Sequence, residues 1–464
     1  MILLPEIILT VGALVLLTID FALPRLQRLT VYIAAIFSGL ALCAVGLGSG
    51  TAFGSFFSAS ALTNGFSVLI LLGSVIAIVM AMADHEVEKH WGSYFALMLF
   101  ATVGCLLLIK ARDFLYAFLA VELISISSFI LTGFERKIAS SMEGALKYFL
   151  VGAFSAAIAL YGISLYYAAL GTTSFSFPAD IGASANGTLY FAALLLIFVS
   201  FGFKASIVPF HFWVPDAYES APTPITAYLS VVPKLATLGA MINVFNLAIP
   251  AGDARLSLAL AILACLTMTV GNLSAIAQSN LKRLLAYSSI AQAGYMMIGL
   301  LSVSQLGMTS ILVYGFSYLL MNFGAFACAQ WVATKHGSYD ISSCDGLSMR
   351  HFPHALAFTL FLLSLAGIPP LVGFIGKYLV FSSAIEGKWA WVAVVAVLNS
   401  VISVYYYMRI AYRMYFVETK SVVVSAPVLN VFGGYVLSGV IAVLLIGTLF
   451  LGIYPNPLLT LVRF

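Results

Sequence analysis

Charge is what this sequence has least of. Asp, Glu, Lys and Arg together make up 8% of the 464 residues, where soluble domains carry about a quarter. That scarcity excludes a sizeable water-exposed domain. The formal net charge of +4 is small and spread along the chain, so no basic patch for nucleic acid is present. Only five cysteines occur, at 43, 105, 265, 328 and 344, and none forms a CxxC pair. Metal and disulfide roles give way to buried free thiols. Patterns of the GxGxxG, Walker A, HExxH and GxSxG types are missing, as is any haem or iron–sulfur spacing. Redox chemistry, if the chain takes part in any, must be carried elsewhere. The N-terminal MILLPEIILTVGALVLLTID lacks a basic leader and a small-residue cleavage site, and reads as a retained first helix.

Apolar residues fill the space that charge vacates, at 62% of the chain. A membrane-crossing helix needs about 20 mostly apolar residues. The sequence offers fourteen such segments: 2–23, 29–49, 61–83, 92–110, 114–133, 143–170, 188–214, 223–248, 256–277, 284–304, 307–334, 353–385, 389–408 and 430–453. The expected fold is therefore an all-α polytopic membrane protein. Longer polar connections fall only near 171–187 and 335–352. Fourteen crossings put both termini on one side. Of the 21 Lys and Arg residues, twelve fall in loops on the opposite side, Lys282 among them, and five on the terminal side, Lys110 among them. Positive residues favour the cytoplasm, so both termini are expected outside it.

The remaining four, Lys147, Lys204, Lys234 and Lys377, lie inside predicted helices, as does Glu122. A charge at the bilayer centre costs at least about 2.5–3.5 kcal/mol on insertion scales, so such residues face the bundle interior and are functional by default. A purely structural ion pair would balance its charges. Here the deep lysines Lys204, Lys234 and Lys377 outnumber the single deep carboxylate Glu122. Burial disfavours a charged amine and a nearby carboxylate restores it, which is what a proton carrier needs. Lys147, in MEGALKYFL, has Glu143 as an i,i+4 partner, and an interfacial pair is as good a reading as a proton path. His211, Asp216 and Glu219, in PFHFWVPDAYESAP, either admit protons or cap and solvate a loop. His336, His351 and His354 flank the 335–352 loop and are expected at the interface. Tyr405, Tyr406 and Tyr407, with Trp389 and Trp391, have the look of an aromatic belt.

Two of the over-long helices carry both a lysine and a breaker. In FGFKASIVPF, Lys204 precedes Pro209; in SLAGIPPLVGFIGKYLV, Lys377 follows Pro369 and Pro370. Proline removes a backbone donor where little water replaces it, so helices 7 and 12 should be discontinuous. They stand five helices apart and cross in opposite directions, the mark of an inverted repeat with broken helices at matching positions. Helices 4–8 pair with helices 9–13. The expected division is 1–90 for the first three helices, 91–250 and 251–415 for the repeats, and 416–464 for the last helix. Lys234 sits beside Pro233 in the eighth helix, and a path Lys204–Lys234–Lys377 would run along the membrane plane, with water bridging its gaps.

LAVELISIS, GFKASIVPFHFWVPDAYESAPTPITAYLSVVPK, QSNLKRLLAYSSIAQAGYMMIG and AGIPPLVGFIGKY together resemble the antiporter-like membrane subunits of respiratory complex I, the NADH–quinone oxidoreductase, and the related Mrp-type cation/proton antiporter subunits. The similarity covers roughly residues 90 to 415. It implies a subunit of a redox-driven translocase that carries no redox centre itself, with NADH, FMN, iron–sulfur clusters and quinone in other subunits. Implied partners are other membrane subunits (K, J, M and the lateral helix of L) in a bacterial inner membrane, with periplasmic termini. By the same resemblance Glu122 is paired to Lys204, Lys234 is the helix 8 lysine, and Lys377 lies on the route to the periplasm. The alternatives are a sodium/proton antiporter subunit without redox coupling, or a structural subunit that keeps the polar core as a relic.

Overall fold

The computed structural model describes residues 1–83, 90–136, 138–176, 187–248, 254–302, 304–418 and 431–460. Lys89, Lys137, Lys420 and Arg463, used in the charge count above, lie outside these residues, as does most of the 171–187 connection. The chain opens with α1 (Leu4–Ala22), α2 (Thr30–Ala44) and α3 (Ala61–Ala81). A small antiparallel hairpin of β1 (Gly50–Ala52) and β2 (Phe57–Ala59) joins the last two. The first repeat comprises α4 (Trp91–Lys110), α5 (Phe114–Thr132), α6 (Ala139–Leu170), α7 (Gly187–Ala205), the short α8 (Trp213–Ser220) and α9 (Thr223–Ala248). The second comprises α10 (Ala254–Ile276), α11 (Leu281–Ile298), α12 (Gln305–His336), α13 (Leu347–Arg350), α14 (Phe352–Ala366), α15 (Val372–Glu386) and α16 (Ala390–Phe416). Then follow α17 (Val431–Ile453) and α18 (Asn456–Thr460).

Among the described residues, 12 helices are long and apolar enough to cross a membrane. The 18-residue α11 and the split α14–α15 pair bring the crossings to the fourteen expected. The spanning windows of α9 and α12 are 100% and 94% buried, against 28% for α17. These two helices form the axis of the bundle, and the others wrap around them. Outer faces remain apolar because lipid is as apolar as the core. Cys43 illustrates this: the expectation of a buried thiol fails, since it lies exposed on α2, while Cys105, Cys328 and Cys344 are buried.

Both expected breaks are present. α7 ends at Ala205 and α8 begins at Trp213; α14 ends at Ala366 and α15 begins at Val372. Val208–Pro209 and Pro369–Pro370 are both cis. The two ends close alike. Ser206 and Gly367 take left-handed conformations, at φ 64° and 89°, and the next residue donates five positions back, Ile207 to Gly202 and Ile368 to Leu363. What covers each break differs. The first is held by side chains: Thr267 Oγ1 accepts from Val208 N at 3.1 Å, and Trp213 Nε1 donates to Phe203 O at 3.1 Å. The second is pressed by a backbone: a Cβ on Gly452 of α17 would lie 2.2 Å from Pro370 O.

Candidate functional site

Lys204, Lys234 and Lys377 are all buried, at 1%, 0% and 3% exposure. Lys204 sits in the last turn of α7. Its Nζ donates to Ser125 Oγ at 3.1 Å and Tyr148 OH at 3.0 Å, beneath the rings of Phe129, Tyr148 and Phe203. The expected ion pair with Glu122 is not a contact: Glu122 is in none of the ion pairs within 4 Å among the described residues. Ser125, one turn along the same face of α5, takes the ammonium instead. Glu122 is half-buried between the exposed Leu119 and Ile126, at the edge of the chain's outer face.

Lys234 owes its surroundings to Pro233. That proline cannot donate to Leu229 O, the acceptor one turn back. Tyr218 OH fills the freed carbonyl at 3.0 Å, and Tyr318 OH donates to Ser230 O at 3.2 Å. The Lys234 ammonium then turns to α11, donating to Ser289 Oγ at 2.8 Å and Ser289 O at 3.1 Å. Lys377 donates to Ala366 O and Ser400 Oγ, both at 2.9 Å, over the ring of Tyr295. Ala366 O is the last carbonyl of α14, where the helix dipole presents its negative end.

The spaces between the lysines are of two kinds. From Lys204 to Lys234 the path is aromatic: Tyr148 stacks on Trp213 at 3.9 Å, and the ring of Tyr218 lies 5.7 Å from Lys234 Nζ. From Lys234 to Lys377 it is polar, with hydrogen bonds interrupted at two steps between chain neighbours, Ser289 to Ser288 and Leu365 to Ala366. Ser288, next to Ser289, shares a 2.5 Å bond with Tyr407 OH. Gln292 Nε2 reaches Tyr407 OH at 3.5 Å and donates to Leu365 O at 3.1 Å, beside the Ala366 carbonyl that holds Lys377. Tyr314 OH donates to Gln292 Oε1.

Sequence reasoning missed these bridging residues. The polar group Ser288, Ser289 and Gln292 within the apolar α11 was the available signal. Tyr406 and Tyr407 do not belong to an aromatic belt: both are fully buried, and only Tyr405 points outward. Lys282 and Lys110 are not loop charges. Lys282 is buried and donates to Ala221 O, at the end of α8, at 2.6 Å. Lys110 is buried against Glu6 of α1 at 2.6 Å.

Lys147 lies in an exposed charge network at 2.7 Å from Glu143 and 2.8 Å from Asp216. Arg283 bridges Asp216 and Glu219 at 2.7 and 2.9 Å. Asp216 is on α8, which is not among the membrane-crossing helices. Burial works against its ionisation, but hydrogen bonds from Lys147 and Arg283 outweigh it and hold the carboxyl below its usual range. His211, in the first break, is buried rather than solvated in a loop. His354 stacks on Trp331 at 4.0 Å, with His351 beside it.

A bundle of two inverted repeats, each with one broken helix, around a line of buried amines defines the antiporter-like class of membrane subunits. Residues 111–403 match the family described as NADH:quinone oxidoreductase/Mrp antiporter, transmembrane region, and the chain belongs to that family. It is 41% identical to NADH-quinone oxidoreductase subunit N of Trichlorobacter lovleyi over 426 residues, covering 89% of this chain and 87% of the relative. Among solved structures it is similar to a chain of respiratory complex I from Thermus thermophilus with bound aureothin. There the identity is 32% and the TM-score 0.82, over 98% of this chain and 99% of that one. A chain of the Mrp complex from a Dietzia species shares the fold at TM-score 0.85 and 21% identity, over 99% and 95% of the two chains.

Proposed function

We propose that this chain is the subunit N of an NADH–quinone oxidoreductase, and that it moves protons through the membrane along Lys204, Lys234 and Lys377. Electron transfer from NADH to quinone, in other subunits, drives it. The observation that carries this reading is the run of buried polar groups from Lys234 through Ser289, Ser288, Tyr407 and Gln292 to the end of α14, where Lys377 is held. The identity of 41% to an NADH-quinone oxidoreductase subunit N, against 21% to the Mrp chain, favours this reading over a sodium/proton antiporter. Lipid and other membrane subunits are its surroundings. The excess of basic residues on the far side from the termini supports periplasmic termini.

In this mechanism Glu122 is the switch. It stands at the edge of the outer face, where a neighbouring subunit reaches it. With its charge directed at Lys204, the amine keeps its proton. With that charge withdrawn or neutralised, the proton leaves toward Lys234. Moving one charge against 100 mV takes about 2.3 kcal/mol, and a shift of about two pKa units supplies about 2.7 kcal/mol. The aromatic stretch around Tyr148, Trp213 and Tyr218 needs water to complete the route, so hydration there gates the step. Lys204→Ala and Glu122→Ala in the reconstituted complex should impair proton pumping. Normal pumping in both variants would rule the switch out.

A further inference from the structure

A buried Glu–Lys pair that the path above does not use joins α1 to α4. Glu6, in the first turn of α1, is 4% exposed, and Lys110, the last residue of α4, is 2% exposed. Lys110 Nζ donates to Glu6 Oε1 at 2.6 Å and to Ile2 O at 2.8 Å. The other carboxylate oxygen, Glu6 Oε2, is buried and accepts no hydrogen bond. An unsatisfied ionised oxygen in such a place calls for a donor. Glu6 also lines a cleft of about 660 Å3 between α1 and α4.

The shape of that cleft says what kind of donor. Below Glu6 its wall on α1 is Ile7 and Val11, one turn apart. Below Lys110 its wall on α4 is Leu107 and Val103, one turn apart. The two rows run from the membrane face that carries the N-terminus toward the interior of the bilayer. Ile7 and Val11 are 58% and 47% exposed. The tip of the β1–β2 hairpin, at Ala52 and Phe53, closes the top. A carboxylate in the first turn of α1, above a channel apolar but for Thr10, whose hydroxyl is bonded to Glu6 O, matches one kind of molecule. We propose that this cleft binds a phospholipid with a primary-amine headgroup, of the phosphatidylethanolamine type. Its ammonium donates to Glu6 Oε2 once the carboxyl turns toward the cleft, and an acyl chain lies between Ile7 and Val11 on one side and Val103 and Leu107 on the other.

The test uses the whole membrane assembly containing this chain, in vesicles doped with phosphatidylethanolamine carrying a photoactivatable group in its acyl chain. Label is expected on the α1 and α4 peptides holding Val11 and Leu107. The phosphatidylcholine counterpart, whose quaternary nitrogen cannot donate, should label them about tenfold less, the ratio expected for one charge-assisted hydrogen bond. Glu6→Gln should abolish that preference. Val11→Trp, which fills the channel and leaves the ion pair alone, should abolish the labelling itself. Equal labelling by the two lipids overturns the headgroup contact. Absence of label from both peptides in the unmodified assembly, as when a neighbouring protein covers the cleft, overturns the site.

Discussion

Lys204 precedes its break, on the last turn of α7, whereas Lys377 follows its break, on the second turn of α15. Sequence order therefore does not match the two amines, yet their electrostatic setting does. Lys204 lies at the carbonyl end of the half-helix that carries it, and Lys377 reaches back to the last carbonyl of α14. Lys377 thus bonds the negative end of a half-helix and Lys204 stands in the last turn of one, a position worth up to about 2 kcal/mol where partly buried. Buried Lys282, on Ala221 at the end of α8, repeats the arrangement. The repeats differ in what else they supply. The first has Glu122 at the edge of the outer face, while Lys377 is held only by a carbonyl and a hydroxyl in its hydrogen bonds. Among the described residues, the first site alone thus has the carboxylate that the proposed switch would move.

The largest effect should come from removing either amine. Lys204→Met and Lys377→Met keep the volume and leave no buried charge, so the assembly should still form. Proton flux should fall by about a hundredfold or more in each, read as pumping by proteoliposomes. Retained flux in only one variant would show that the repeats are not in series. Next comes Glu122→Gln, expected to slow flux by about tenfold, the scale of one lost charge interaction of roughly 1–2 kcal/mol. An unchanged rate would make the first site as passive as the second.

The two left-handed positions sharpen the comparison in stability. At Gly367, φ is 89° and a Cβ would stand 2.7 Å from Lys377 Cδ, so Gly367→Ala should cost about 1–3 kcal/mol. At Ser206 a side chain already bears that conformation, and Ser206→Gly should gain roughly 0.5–1 kcal/mol. Thermal unfolding in detergent reads both, and a gain from Gly367→Ala would contradict the stated packing. The smallest effect belongs to Asp216. A carboxyl held below its usual range contributes stability that is complete above that range and is lost only as pH falls through the depressed value. Asp216→Asn should therefore cost the same, about 1 kcal/mol or less, at any pH between about 6 and 8. A cost that varies across that window would make Asp216 a titrating group of the proton path.

Much of the fold was legible because length and hydropathy report a crossing helix directly. Pro209 and Pro369–Pro370 announced the breaks for the same reason: a missing donor in a dry medium has few other readings. What the pattern hid was which way a side chain faces. Tyr405, Tyr406 and Tyr407 are consecutive, and only the bundle decides that the first meets lipid while the next two are buried. Lys110 and Lys282 sat at helix ends, where loop and buried positions differ by a single turn. The missing contact between Glu122 and Lys204 depends on Ser125, whose hydroxyl is unremarkable in the sequence. The polar half of the axis, through Ser289, Tyr407 and Gln292, arises from three helices that no local pattern ties together.

Gly452 has a mechanical consequence. α17 stands outside both repeats, yet its backbone lies against Pro370, so the second break is backed by main chain and the first by the side chains of Thr267 and Trp213. A side chain added at position 452 would therefore press directly on the second break, whereas the first would register changes at Thr267 and Trp213.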